Sequence, residues 1–298
     1  MSYRMQLDAP VAANVRRILG QQIDRARRDL TADDAVEAVH QFRKRCKKIR
    51  ALLRLVRPAL GKQFRVENDR FRDMARRVAA ARDAQVLGET FDRLLDAYDD
   101  EIDRRHYVPA RPRLSAAGGE SGPPARPEQA VFDELDAELA QARAALAEYR
   151  FSADGFEVIA DGLARTYDRA RTAMKQACAN PTAEAYHDWR KQVKYHRHHC
   201  DLLRDLWTRP MKARASELQR LADWLGDEHD LAILAARVEA GRQANPDNRS
   251  QQAVLTLIDR RRSDLQRACE PLGRCLFAEK QRAFRKRMVQ YRKARRRA

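Results

Sequence analysis

His40, Arg43, Lys44, Lys47, Arg50 and Arg54 lie within fifteen residues of one another in the stretch "AVHQFRKRCKKIRALLRLVR", residues 38 to 57. The stretch carries eight Lys or Arg and no acid; the nearest carboxylates are Glu37 and Glu67. At about 100° per residue on a helix, the six residues fall within about 120° of one another. Phe42, Cys46, Ile49, Leu53 and Val56 take the opposite side. The polar side is then a ladder of cations about one turn apart. Such a ladder offers repeated charge-assisted hydrogen bonds to a row of anions. Like charges at i, i+4 each destabilise a helix by a few tenths of a kcal/mol, so ordinary solvated faces mix signs. A face of cations without acids points to an anionic partner.

The pattern returns. "AYHDWRKQVKYHRHHCDLLR", residues 185 to 204, aligns with the first stretch at an offset of 147 without a gap. His187, Arg190, Lys191, Lys194, Arg197 and His198 form the second ladder, backed by Trp189, Val193, Cys200, Leu203 and Trp207. The same offset pairs "MARRVAAARDAQVL" with "LADWLGDEHDLAIL", matching Arg82 with His229 and Asp83 with Asp230. Upstream, a three-residue slip brings "DRARR" at 24–28 onto "DRART" at 168–172, so Arg25 answers Arg169 and Arg27 answers Arg171. These six positions, Arg25, Arg27, Arg82, Arg169, Arg171 and His229, are secondary candidates. The Trp residues are expected in the core, and Asp83 and Asp230 are expected to fix an Arg or His of a facing helix.

The elements that carry the ladders read as helices almost throughout. Ala, Leu, Arg and Glu dominate, and β-branched alternation is missing. Helices are expected at about 8–30, 32–57, 60–80, 82–105, 129–150, 154–179, 181–207, 210–226, 228–242, 249–269 and 272–296. Pro10 suits the first helix start, Thr31 the cap of the second, and Asn180-Pro181 the start of the second charged helix. Residues 108–128 hold five of the eleven prolines and three glycines, the composition of a flexible linker. The expected fold is all-α: two pseudo-symmetric four-helix bundles from an N-terminal half, 5–107, and a C-terminal half, 129–298, ending in a basic tail, 280–298.

Composition narrows the partners. The chain has 298 residues and a net charge of +17, which concentrates anions at its surface. Nucleic acid, an anionic membrane or another polyanion would each fit. The N-terminus has no apolar stretch of signal-peptide length and no run of about 18 apolar residues occurs, so a cytoplasmic protein without a membrane span is expected. Five scattered cysteines with no C-x-x-C pair suggest reduced, buried thiols. "HRHH" at 196–199 places His196 on the apolar side and His198 on the basic side, too splayed to chelate, and neither a metal nor another cofactor is expected.

With its doubled H-x-x-R-K-x-x-K helix and its "LGDEHD" at 225–230, echoed loosely by "VAAARD" at 78–83, the chain resembles the CHAD family, the conserved histidine α-helical domain. The resemblance spans nearly the whole chain as one such domain. It implies basic faces converging on a central groove or pore and inorganic polyphosphate as the ligand, bound without catalysis, with residence at polyphosphate granules. The sequence departs from the family pattern where His229 replaces an arginine and where the first copy lacks the Leu-Gly pair. The E-x-E-x-K mark of the triphosphate tunnel enzymes often joined to this family does not occur.

Two rival readings come from the residues. The tail has ten Lys or Arg, no acid, and Phe284 and Tyr291 interleaved, as a non-specific nucleic-acid clamp could have. No helix-turn-helix, RNA-recognition or zinc-finger signature accompanies it. The repeated His40 and His187 could serve a phosphate-handling enzyme, but no P-loop or nucleophile motif accompanies them, and adjacent cations weaken them as general acids.

Overall fold

The computed structural model describes residues 3–78, 83–107, 129–244 and 249–295, with the backbone alone at 83–86 and 242–244. The expected linker 108–128, the secondary candidate Arg82, the side chain of Asp83 and residues 296–298 lie outside the described side chains. Among the described residues there are eleven α-helices and no strand, the all-α class expected.

Helix α1 spans Val11–Leu30, with Pro10 as its N-cap. Helix α2 spans Ala35–Leu55 and is capped by Asp34, whose carboxylate accepts from the backbone N–H of Val36 and Glu37. Thr31 does not cap α2: its N–H and hydroxyl close the end of α1 on the Arg28 carbonyl. After the short α3 (Arg57–Leu60), Gly61 takes φ +53° and turns the chain into α4 (Gln63–Arg77). Helix α5 (Asp83–Asp96) ends about two and a half turns before the expected 105. The remaining helices are α6 (Gln129–Ala144), α7 (Phe156–Ala179), α8 (Ala183–Leu202), α9 (Thr208–Ala244), α10 (Arg249–Leu276) and α11 (Gln281–Arg295).

Three boundaries differ from expectation for packing reasons. Asn180 closes α7 through its N–H to Gln176, and the hydroxyl of Thr182 caps α8 instead. Helix α9 runs through Gly226, where a break was expected. Helix α10 runs through Pro271. The ring of Pro271 is exposed, and two residues on, Gly273 lies so close to Trp189 that a Cβ would meet its ring at 2.5 Å. Burial of Cys269, Gly273 and Leu276 on one face holds the helix together across the missing N–H.

Most helices pack within their own sequence half, but two are exchanged. Helix α6, from the second half, packs on α1, and α5, from the first half, packs on α9 and α10. One large core draws on α1, α2, α4, α6, α7, α8 and α11; a smaller one joins α5 to the later part of α9 and the earlier part of α10. Helix α7 crosses the end of α2 so tightly that a Cβ on Gly162 would lie 1.7 Å from the Leu55 carbonyl oxygen.

The basic tail is a docked helix. Phe284 is fully buried and stacks on Tyr167 with ring centroids 4.1 Å apart. Arg285 pairs with Glu157 and Asp161 on α7, and the guanidinium of Arg292, near the end of α11, donates to the Leu7 carbonyl at 2.6 Å. Phe284 therefore cannot stack on a base. The five cysteines are all free; Cys46, Cys200 and Cys269 are buried, but Cys178 is only partly so and Cys275 is exposed.

Candidate anion-binding site

Both ladders form on the helices expected to carry them, and α2 packs directly against α8. The apolar backs are buried: Phe42, Cys46, Ile49, Leu53 and Val56 on or just after α2, and Trp189, Val193, Cys200 and Leu203 on or just after α8 are at 0% exposure. Trp207 is the exception, at 53%.

The crossing is pinned by His199. Its Nε2 lies 2.8 Å from the carbonyl oxygen of Ala51. A carbonyl only accepts, so Nε2 carries the proton and donates. Burial pushes the His199 pKa down to about 4 despite that bond, which leaves the ring neutral.

Around this point the two rows meet. Lys194 on α8 is largely enclosed, and burial pushes its pKa down to about 7, with Arg190 and Lys47 adding to the effect and Asp230 and Asp223 opposing it. Lys47 belongs to α2, so the two ladders lie within electrostatic reach of one another. Lys48 is pushed down to about 8 by burial and by Arg45, Lys44, Arg197 and Arg25. Arg25 of α1 thus joins the ladders. Lys48 itself was not among the sequence candidates; it sits on the flank of the wheel, and only the approach of α1 and α8 brings it into the cationic cluster. Arg43 and Lys44 make no ion pair with any described residue.

On one flank, Arg50 donates to the Asn68 side chain at 3.3 Å, and Arg54 lies over the Tyr195 ring at 4.4 Å. Arg57 stacks over Phe64 at 4.8 Å. Burial lowers the pKa of Arg169 on α7, and Arg57, Arg54 and Arg165 lower it further, which places it in the same cationic lobe. The Nε of Arg54 is buried with no hydrogen-bond partner.

On the other flank, the rings of His187 and His229 are 4.3 Å apart. Burial lowers the pKa of His187, helped by Lys191, Arg190 and Lys194. Burial also takes His229 down to about 4, with His187, Arg190 and Lys194 contributing. The Nδ1 of His187 and the Nε of Arg190 are buried and lack a partner. A cleft of about 340 Å³ opens nearby, lined by Arg93, Asp227, Leu231 and Arg261 among others. Arg93 reaches Asp227 and Asp230 at 3.7 Å each, drawing those carboxylates toward α5. Asp230 thus pairs with an arginine of a facing helix, the partner type expected of it.

Other candidates fall elsewhere. His198 is buried at 8% exposure, not on a solvated face, because Tyr3 packs edge-on against it at 6.1 Å. Arg27 makes a two-bond pair with Asp136 on α6, at 2.7 and 2.8 Å, and ties two helices together. Arg171 donates to the Phe277 carbonyl at 3.2 Å. Lys191 pairs with Asp188, and Arg197 with Gln219 and Asp201, so the second ladder is partly compensated. His40 is half-buried on the first ladder. No group of three or more His, Cys, Asp or Glu suited to a metal occurs among the described residues, and no described helix is long and apolar enough to cross a membrane.

Comparison with known proteins bears on this arrangement. The family model described as CHAD domain matches residues 13–239, which contain both ladders and the His187–His229 pair. Over 102 residues the chain is 38% identical to uncharacterized protein MT2285 of Mycobacterium tuberculosis (strain CDC 1551 / Oshkosh). The same identity and length hold for uncharacterized protein Rv2226 of Mycobacterium tuberculosis (strain ATCC 25618 / H37Rv). Each match covers 32% of this chain and 19% of the relative, so the chain spans only a small part of those proteins. The domain match, by contrast, runs from early in α1 to late in α9: the chain belongs to the CHAD family.

Proposed function

We propose that the chain binds inorganic polyphosphate, without breaking it, along the cations that α2 and α8 bring together. The observation that carries this reading is Lys194: an amine largely withdrawn from water between Arg190 of its own helix and Lys47 of the facing one. Cations crowded in this way repel one another until an anion arrives. A polyphosphate strand carries about one charge or more per unit and can lie against both rows in turn. His40, Arg43, Lys44, Lys47, Arg50 and Arg54 would hold one part of the strand, and His187, Arg190, Lys191, Lys194 and Arg197 another, with Arg25, Arg169, Lys48 and His229 at the margins. Buried donors without partners at Arg54 and Arg190 fit a site completed by an acceptor from outside.

Histidine has no bond-breaking role in this reading. Burial and neighbouring cations hold His187 and His229 neutral, and a neutral ring beside Arg190 is a hydrogen-bonding surface rather than a proton donor. Polyphosphate granules of the cytoplasm would be the place of action.

Titration of the purified protein with long-chain polyphosphate, with RNA as competitor at matched phosphate, tests the proposal. If about six phosphates are neutralised, log K should fall with log salt at a slope of about −4. Lys47→Glu and Lys194→Gln should each weaken binding by about tenfold or more, as expected for loss of a charge-assisted contact. RNA that displaces bound polyphosphate at matched phosphate as readily as polyphosphate itself does would overturn the reading in favour of a nucleic-acid site on the ladders.

A further inference from the structure

Trp207 stands outside the site described above. It ends the 3-10 turn Arg204–Leu206 that follows α8, has extended backbone immediately before α9, and is the one tryptophan that is exposed; Trp189 is buried and Trp224 half-buried. Its neighbour is Tyr291 of α11, edge-on at 4.9 Å with the ring planes 83° apart. In a T-shaped pair each ring has at most one face covered by the other, so at least one face of Trp207 is left uncovered by Tyr291.

The surroundings are cationic from two helices. Arg209 and Lys212 are exposed in the first two turns of α9 and make no ion pair with a described residue. Arg295 of α11 donates to the Asp205 carbonyl, two residues before Trp207. Arg287 donates to the Tyr291 hydroxyl at 3.1 Å. The acids nearby are engaged: Asp205 with Arg4 at 3.4 Å and Glu279 with Arg287 at 2.5 Å. The N-terminus of the 37-residue α9 adds its partial positive charge to the same place.

We propose that Trp207, with Arg209, Lys212 and Arg295, forms a stacking platform for single-stranded nucleic acid, separate from the ladders. An exposed aromatic face between cations is what an unpaired base and its flanking phosphates require. Inorganic polyphosphate has no ring to stack, so it gains nothing from the indole. A duplex keeps its base faces covered by stacking. A lipid surface rewards contiguous apolar area, and the other large exposed apolar side chains, Val36, Val66 and Ile233, lie on α2, α4 and the later part of α9.

The platform is independent of the proposed polyphosphate site, so each can fail without the other. The test uses the full chain and a 5′-fluorescein-labelled oligo(dT), with anisotropy of the label giving the affinity of parent and variants and Trp emission followed in the parent. Oligo(dT) should quench the emission to saturation. Trp207→Ala should weaken oligo(dT) binding by about 5- to 100-fold, the loss typical of one base–aromatic stack, and should leave polyphosphate affinity unchanged. Trp207→Phe should recover part of the loss. Arg209→Glu with Lys212→Glu keeps the ring and should also weaken oligo(dT). Unaltered oligo(dT) binding by Trp207→Ala overturns the proposal. So does an equal loss for oligo(dT) and polyphosphate, or quenching by phosphatidylserine vesicles where oligo(dT) gives none.

Discussion

The guanidinium of Arg190 rests on the bare backbone of Gly226: a Cβ at that glycine would meet Nη2 at 3.2 Å. The space that a Cβ of α9 would take is filled here by an arginine of the second ladder. The glycine of "LGDEHD" is spacing for a side chain, not the end of a helix.

Substitution at Gly226 should separate fold from site. Alanine removes a helix-interior glycine, which favours the helix by about 0.5–1 kcal/mol, against a small shift of the flexible Arg190 tip. Its urea midpoint should stay near that of the parent. Gly226→Val adds branches that push the guanidinium away, and polyphosphate affinity should fall about tenfold, the loss of one charged contact. Calorimetric titration of a folded Gly226→Val protein with parental affinity would remove Arg190 from the site.

Lys194 predicts a pH dependence. Free, its pKa is pushed down to about 7 by burial, Arg190 and Lys47. A bound polyanion favours the charged amine and raises that value, so binding takes up a proton between about pH 7 and the raised pKa. Affinity should fall as pH rises above 7, with a limiting slope of about −1 in log K for this one group. His187 and His229, both lowered when free, add proton uptake on the acid side of neutrality. Lys194→Arg stays charged throughout and should flatten only the alkaline arm. An alkaline arm unchanged in that variant would exclude the lysine.

The same amine acts on stability with a definite sign. Unfolded, a lysine titrates near 10.4, and folded Lys194 near 7. The unfolded chain therefore binds more protons between those values, and the stability of the unliganded protein should rise with pH from about 7 toward 10 through this group. Urea unfolding of the parent against Lys194→Met isolates the contribution. A parent whose stability relative to Lys194→Met does not rise across that window would show that the amine is not withdrawn from water.

Gly162 should tolerate nothing larger. With the Leu55 carbonyl 1.7 Å from where a Cβ would lie, Gly162→Ala must move α7 off the end of α2. Overpacking of this kind costs about 1–3 kcal/mol and sometimes more, and backbone against backbone has no rotamer to relieve it. The midpoint of chemical unfolding should drop accordingly, and by more than for alanine at the exposed Gly155, which has nothing within 4 Å and loses only the preference for glycine at the N-cap of α7.

Arg27→Ala should be nearly silent in binding. Its partner is Asp136, and both side chains are about two-fifths exposed, at 42% and 40%. An exposed pair of this kind contributes about 1 kcal/mol or less. A strong loss of polyphosphate affinity in this variant would restore Arg27 to the site.

Much of this was legible because it is periodic. Phe42, Cys46, Ile49, Leu53 and Val56 fall on one side of a wheel, and all are fully buried. The cations opposite them follow from the same arithmetic. What escaped was set by contacts distant in sequence. His198 shares the wheel position of the ladder, yet Tyr3, from the segment before α1, covers it. Trp207 reads as core by residue type, but after α8 a 3-10 turn at Arg204–Leu206 gives way to extended backbone at Trp207, and the ring stands outward beside Tyr291. Lys48 becomes part of the cluster only because α1 and α8 approach α2. The exchange of α5 and α6 between the packed groups has no local signal either, since each helix is amphipathic whichever neighbours it meets.

The bond from Arg292 to the Leu7 carbonyl joins residues 285 apart. During synthesis, the segment before α1 reaches the solvent long before α11 exists to receive it. Tyr3 and Met5 meanwhile have their other partners, Lys48 and Leu202, on α2 and α8. The N-terminal strap can therefore settle in stages, on α2 first, then on α8, and last under α11. Contacts of such long separation are the slow ones in folding, and they expose apolar surface while they wait. Phe284 and Met288 close over the large core only in the final stage. A ribosome stalled before residue 281 should thus hold a nascent chain that has most of its helices but remains open to proteases at the strap.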